Sequence, residues 1–174
     1  MTQKTEDLHW FIAYVRTCCE RVSRECFAKL GYECYLPVRK EVHRWSDRNK
    51  TVERMILPHM IFVRTTEKGR VDSLRTNPYV TGYMSKRMGP YSPAIVPDAE
   101  METFMSMVDN GYGKVAVTEE ALAPGDRVFV VSGPLAGREC ELVSIEGKKC
   151  LASRLGILGT AVVEISLDSV RKIA

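Results

Sequence analysis

The chain has 174 residues, 45% apolar, 27% charged and 8% aromatic, a composition that excludes disordered, fibrous and collagen-like proteins and leaves room for one average domain or two small ones. Its net charge is only +3, from 25 Lys and Arg against 22 Asp and Glu, too little to demand a polyanionic partner. No apolar run approaches the ~18 to 20 residues of a spanning helix, and the opening MTQKTEDLHW lacks the features of a secretory signal, so a cytoplasmic protein with no membrane partner is expected. The charge excess is local. Residues 1 to 113 hold 17 basic and 14 acidic side chains, while 114 to 174 hold 8 of each.

In chain order, HWFIAYV, ending at Arg16, is an aromatic and β-branched run that predicts a buried strand. A helix over Cys18 to Leu30 follows: Thr17 and Glu20 form a capping box, Cys18, Val22, Cys26 and Leu30 make the expected apolar stripe, and Gly31 is placed to end it. ECYLPV and VRKEVHRW read as extended, SDRNK as a polar turn, and TVERMIL and MIFVRT as two further strands of an antiparallel hairpin system. Val38 to Arg54 is the most basic segment, with Arg39, Lys40, Arg44, Arg48, Lys50 and Arg54 against Glu41, Asp47 and Glu53; its tip should project into solvent, and it fits either a plain exposed hairpin or a contact to upstream DNA or RNA, with Trp45 a packing residue or a stacking platform. A short helix is expected over Arg70 to Arg75, then a turn at Asn77-Pro78 and a strand over Tyr79 to Met84.

A further helix is expected from Pro97-Asp98, with Asp98 as N-cap, Met101, Phe104, Met105 and Val108 as its apolar stripe, and Gly111 as its end. Beyond it the texture changes to short runs (DRVFVVS, ECELVSIE, KKCLASR, TAVVEISL) punctuated by glycines, which predicts a small antiparallel barrel. The expected architecture is α+β. An antiparallel sheet flanked by helices occupies 1 to 112, a linker 113 to 123, and an SH3-like β-barrel 124 to 174.

The six cysteines show neither a C-x-x-C nor a nearby histidine pair, so they read as reduced thiols acting as small core hydrophobes, with no metal and no cofactor expected. An enzyme would have to enlist Cys18 or Cys19 with His9, His43 or His59. No orienting third group, oxyanion motif, phosphate-binding glycine loop or carboxylate cluster supports this, and a non-enzyme is expected.

The stretch PGDRVFVVSGPLAGRECELVSIE, Pro124 to Glu146, resembles a KOW motif, with Cys140 where many members have glycine. WFIAYVRTCCE, ILPHMIFVR, LRTNPYVTGY and PAIVPDAEM are similar in order and spacing to the NusG N-terminal domain, so the resemblance to the NusG family spans nearly the whole chain. The texture around PAIVP looks more like the specialised RfaH and UpxY-type antiterminators of polysaccharide operons than the housekeeping factor. The resemblance implies a monomeric elongation factor docked on the clamp helices of the largest RNA polymerase subunit, suppressing pausing and termination.

By resemblance, the polymerase-binding depression falls on Tyr14, Leu57, Met60 and Phe62. Arg16, Arg75 and Asn77 match positions that contact the nontemplate DNA strand, and Arg21 and Arg24 could extend that patch. In the KOW part the partner-binding loop falls on Leu155, Gly156 and Ile157; the family's arginine there is apolar, which argues against Rho and leaves a small-subunit ribosomal protein open. The competing reading is a generic RNA-binding or ribosome-associated KOW protein with no polymerase contact.

Overall fold

The computed structural model describes residues 7–45, 47–86, 92–109, 115–119, 125–133 and 135–173. In chain order these form β1 (His9–Val15), α1 (Glu20–Lys29), β2 (Glu33–Tyr35), β3 (Val38–Arg44), β4 (Asn49–Met55), β5 (Met60–Thr65), α2 (Glu67–Thr76), β6 (Val80–Tyr83) and β7 (Ile95–Val96). There follow α3 (Asp98–Asp109), β8 (Ala116–Thr118), β9 (Asp126–Val130), β10 (Glu139–Ile145), β11 (Lys148–Arg154), β12 (Thr160–Glu164) and β13 (Val170–Lys172). The chain divides into two compact units, 1–37 with 57–98 and 38–56 with 99–174.

The first unit is a five-stranded antiparallel sheet in the order β2-β5-β1-β6, with β7 also pairing β1. β1 is central because the run HWFIAYV supplies bulky residues to both faces, and Trp10, Phe11, Ile12, Ala13 and Val15 are all buried. Register separates the faces. Trp10, Ile12 and Tyr14 lie opposite Arg64, Phe62 and Met60, while Phe11 and Ala13 lie opposite Val63 and Ile61. On the Phe11 face, the Arg70 guanidinium of α2 stacks over the rings of Phe11 and Tyr83, 5.8 and 5.4 Å from their centres. The Tyr83 hydroxyl, 2.6 Å from Ser73 Oγ, is pushed by burial up to about 12.

α1 differs from its expected form. It starts at Glu20 rather than Cys18, Cys19 caps it without a side-chain bond, and its buried residues are Glu20, Ser23 and Phe27. The anticipated stripe is turned outward: Val22 and Leu30 are exposed and Cys26 is half-buried. Cys18 has a φ of 59°, which breaks the helical geometry, and the Glu20 carboxylate accepts from His59 N at 3.0 Å instead of completing a capping box. The polar residues at 20 and 23 thus face inward because other segments supply their hydrogen bonds. Gly31 takes φ 80° and ends the helix as expected.

α2 is longer than expected, Glu67–Thr76, because Thr66 Oγ1 caps it by accepting from Gly69 N at 3.1 Å. α3 starts at Asp98 itself, whose carboxylate takes an ion pair from Arg64 at 3.1 Å; Met101, Phe104 and Met107 are fully buried, while Met105 and Val108 are only half-buried. The expected stop at Gly111 lies outside the described residues.

In the second unit, β3 and β4 pair only with each other, so the hairpin is a separate two-stranded ribbon rather than part of the larger sheet. The barrel is a six-stranded antiparallel sheet in the order β13-β9-β10-β11-β12-β8. Its segments DRVFVVS, ECELVSIE, KKCLASR and TAVVEISL become β9 to β12 as expected, but the stretch read as linker contributes β8, which pairs β12 from Thr118 opposite Thr160 to Ala116 opposite Val162. Val143, Cys150, Ala152 and Val162 form a core cluster. Gly125 belongs to a close approach, since a Cβ there would lie 2.0 Å from the Leu142 carbonyl oxygen.

Only Cys140 and Cys150 fit the reading of cysteines as core residues. Cys18 and Cys19 lie in the turn before α1, Cys26 on the outward side of α1 and Cys34 in β2; Cys18 is exposed and the other three are half-buried. Among the described residues no group of three or more His, Cys, Asp or Glu could hold a metal ion, and no helix is long and apolar enough to cross a membrane.

Ion pairs join neighbouring barrel strands. Glu141 accepts from Arg154 Nε and Nη2 at 2.9 and 2.8 Å and from Gly125 N at 2.7 Å. These contacts, the Arg154 hydrogen bond foremost, hold its carboxyl below the ordinary glutamate value. A carboxyl depressed in the folded state stabilises at neutral pH and loses that contribution as pH falls through its depressed value. Urea unfolding at pH 7 should therefore show Glu141→Gln less stable than wild type, and the gap should narrow toward pH 3. A gap that persists unchanged at low pH would refute this electrostatic account.

Candidate functional site

The residues aligned with a partner-binding depression separate by depth. Tyr14 and Met60 are directly opposite each other at the ends of β1 and β5, and both are half-buried. Across β6 the neighbour of Tyr14 is Gly82, where a Cβ would meet nothing within 4 Å, so this flank of the Tyr14 ring is open. Leu57, also half-buried, sits on the short loop before β5.

That loop is pinned at its far end. Val15 N donates to His59 O at 2.9 Å, and His59 N donates to Glu20 Oε1 at 3.0 Å, with His59 in the left-handed region at φ 63°. Glu20 is buried, so the start of α1 holds the loop in place. Sequence reasoning missed this role because the spacing Thr17 to Glu20 suggested a local cap, and nothing local reveals a partner 39 residues away. Gly82 was missed as well; a lone glycine in a strand is the one signal that could have marked it.

Phe62 does not join the surface group. It is fully buried, opposite Ile12 and Tyr35, on the same sheet face as Met60 but further from the strand end. Its position in the middle of β5 makes it a core residue, so among the four expected docking residues only Tyr14, Leu57 and Met60 reach the surface.

The expected basic residues lie on segments that hydrogen bonds join: the end of β1, α1, and the turn between α2 and β6. Arg16 follows β1, is exposed, and donates its backbone N–H to Tyr79 O at 3.0 Å. Arg75 is exposed in the last turn of α2, four residues before Tyr79, and Arg21 and Arg24 are exposed on α1. Asn77 corrects the expectation. It is fully buried, its Nδ2 donating to Ser23 O and Ser23 Oγ at 3.1 and 3.0 Å while its Oδ1 accepts from Tyr79 N at 3.2 Å. With its amide satisfied inside the protein, Asn77 ties α1 to the turn between α2 and β6 and positions the arginines.

Truncating Asn77 strands the Tyr79 N–H and the Ser23 groups, each at a cost of about 1–3 kcal/mol. Asn77→Ala should therefore lower unfolding stability by about 2–4 kcal/mol in urea melts, whereas Arg75→Ala should change it by less than about 0.5 kcal/mol. An Asn77→Ala protein as stable as wild type would return this residue to the candidate contact surface.

In the barrel, Leu155 is fully buried and its N–H donates to Gly159 O at 2.8 Å, so its side chain packs inside rather than on a partner surface. Gly156 is exposed and opens a 3-10 turn over Gly156–Leu158; the Ile157 side chain lies outside the described residues. Among the described residues of this region, the exposed large apolar side chains are instead Phe129, Val131 and Leu167.

Residues 8–105 match the family described as transcription termination factor nusG, and residues 124–165 match the KOW motif. Among solved structures, the chain is similar to one described as domain interaction in Thermotoga maritima NusG, at 19% identity and a TM-score of 0.49 over 97% of this chain and 98% of that one. It is also similar to the MjSpt4:Spt5 complex in conformation A, at 16% identity and a TM-score of 0.31 over 95% and 98%. No curated protein matches. With more than half of its length matched by the first of these families and the KOW motif following in order, the chain belongs to the NusG family of transcription factors.

Proposed function

We propose that this protein is a transcription elongation and antitermination factor that rides on elongating RNA polymerase, docked on the clamp helices of the largest subunit. The carrying observation is the Tyr14 and Met60 pair: two large apolar side chains share one rung at a strand end, half-exposed, beside the open flank at Gly82. Aromatic and sulfur-bearing anchors at such a position suit an apolar helix face, since anchors of this kind dominate interface energy. Functionally, the chain divides into a polymerase-binding domain over 1–112 and a KOW domain over 124–174, with the connection over 113–123 lending β8 (Ala116–Thr118) to the KOW sheet. Arg16 and Arg75, supported by Arg21 and Arg24, face the nontemplate DNA strand through its phosphates.

The factor serves particular operons, those for capsular or other surface polysaccharides, in the manner of the RfaH and UpxY-type paralogues. The KOW domain recruits a second partner, a small-subunit ribosomal protein being the chemistry considered; Rho is disfavoured because its arginine is absent from the Leu155 to Ile157 loop. A promoter-initiated elongation assay with the cognate RNA polymerase on a paused template tests the reading. Shortened pauses are expected. No effect on any template, its own operon leader included, would overturn it in favour of a generic KOW-type RNA or ribosome-binding protein.

A further inference from the structure

The ribbon of β3 and β4 contributes no residue to the docking depression proposed above, yet it is the most basic segment of the chain. Its register assigns each charge to a face. Arg39 pairs with Arg54, Glu41 with Val52 and His43 with Lys50, and Trp45 extends the ladder one rung by donating its N–H to Arg48 O at 2.9 Å. Side chains of a directly opposed pair share a face, so Arg39, Arg54, Lys50, Arg48 and His43 align on one side with a single carboxylate, Glu41. The other side carries Lys40 and Arg44 against Glu53.

Glu41 lies on the second rung of this stripe, opposite Val52, ion-paired to Arg39 and to Arg54 at 3.7 Å and with the His43 imidazole 3.6 Å away. Lys50 and Arg48 continue beyond it toward the tip, where Trp45 is 61% exposed. Successive rungs on one face are about 6.8 Å apart, twice the strand rise. Cations spaced along a ribbon and ending at an exposed indole match an unpaired polynucleotide strand: phosphates lie on the cations and a base stacks on the ring. A duplex offers phosphates to the cations but no free base face along its length. Among the described residues this stripe is mainly cationic, and its charges meet the phosphates that DNA and RNA share.

We infer that this face of the ribbon, Arg39 to Trp45 and Arg48 to Arg54, binds single-stranded nucleic acid without regard to the sugar, stacking one base on Trp45. The site goes beyond the polymerase-riding reading and does not depend on it.

The test uses the full chain and labelled oligo(dT) and oligo(U) of about twelve nucleotides, within the usual single-strand site sizes. Trp45 reports directly by fluorescence, because the other tryptophan, Trp10, is 4% exposed. Expected results are equal affinity for the two strands within about threefold, Trp45 quenching on binding, and affinity about tenfold lower for an abasic strand and for a blunt duplex. Trp45→Ala should cost about tenfold and Trp45→Phe far less, since an aromatic face is restored. The double variant Arg48→Gln, Lys50→Gln should flatten the salt dependence by about 1.4 in log K against log salt, at about 0.7 per lost phosphate contact. Equal binding of abasic or duplex probe, an unchanged Trp45→Ala, a tenfold sugar preference, or no binding at low salt would each overturn the site. Pause shortening by wild type, measured separately, keeps its failure distinct from that of the polymerase reading.

Discussion

Tyr14→Ala combined with Met60→Ala should abolish pause shortening and retention on elongation complexes, while the protein remains folded. Each residue is expected to cost about 30-fold in affinity, the effect of an interface anchor worth about 2 kcal/mol. The pair is predicted to act together because the two side chains share a rung, so the double variant should deviate from the sum of the singles. Gly82→Val offers a gain-of-bulk counterpart. A side chain there has space in the isolated protein but would occupy the open flank of Tyr14 and block a docked helix. Competition binding to the polymerase, with circular dichroism as the folding control, separates these outcomes. Full retention by the double variant would remove the depression as the docking surface.

Phe62→Ala should have the largest effect on stability, and for a different reason. The ring is fully buried between β1 and β2, opposite Ile12 and Tyr35, so its removal leaves a cavity and costs about 3–5 kcal/mol. Since small domains carry only about 5–15 kcal/mol, much of the protein would be unfolded or near its threshold. Phe62→Leu, which refills most of the volume, should cost about half of that or less and leave polymerase binding near wild type once the folded fraction is counted. The comparison matters because loss of activity in Phe62→Ala alone would look like a docking defect. A Phe62→Ala protein that melts like wild type but fails to bind would restore Phe62 to the interface.

Both predictions concern the same sheet face, and only depth distinguishes the residues. Tyr14, Met60 and Phe62 are all large and apolar, within strands that alternate poorly because both faces are covered. Their pairing register, not their chemistry, decides which lies at the strand end.

The sequence by itself determined the elements that local physics controls. HWFIAYV and MIFVRT are strands because β-branched and aromatic residues fill them, Gly31 ends α1 because it tolerates positive φ, and the glycine-punctuated runs after 124 form the barrel strands. The basic charge of the ribbon was equally legible, since composition alone shows it. What required the tertiary structure was every role set by a distant partner. Glu20 faces inward because His59 N–H meets it, Ser23 and Asn77 are buried because they satisfy each other, and the face of α1 that sequence periodicity marked as core is turned outward as a result. The same holds for the one-sided cation stripe, which emerges only once Arg39 is paired with Arg54 and His43 with Lys50. Hydrogen-bond satisfaction and strand register are properties of pairs far apart in the chain, so a single sequence displays the residues but not the pairing that assigns their work.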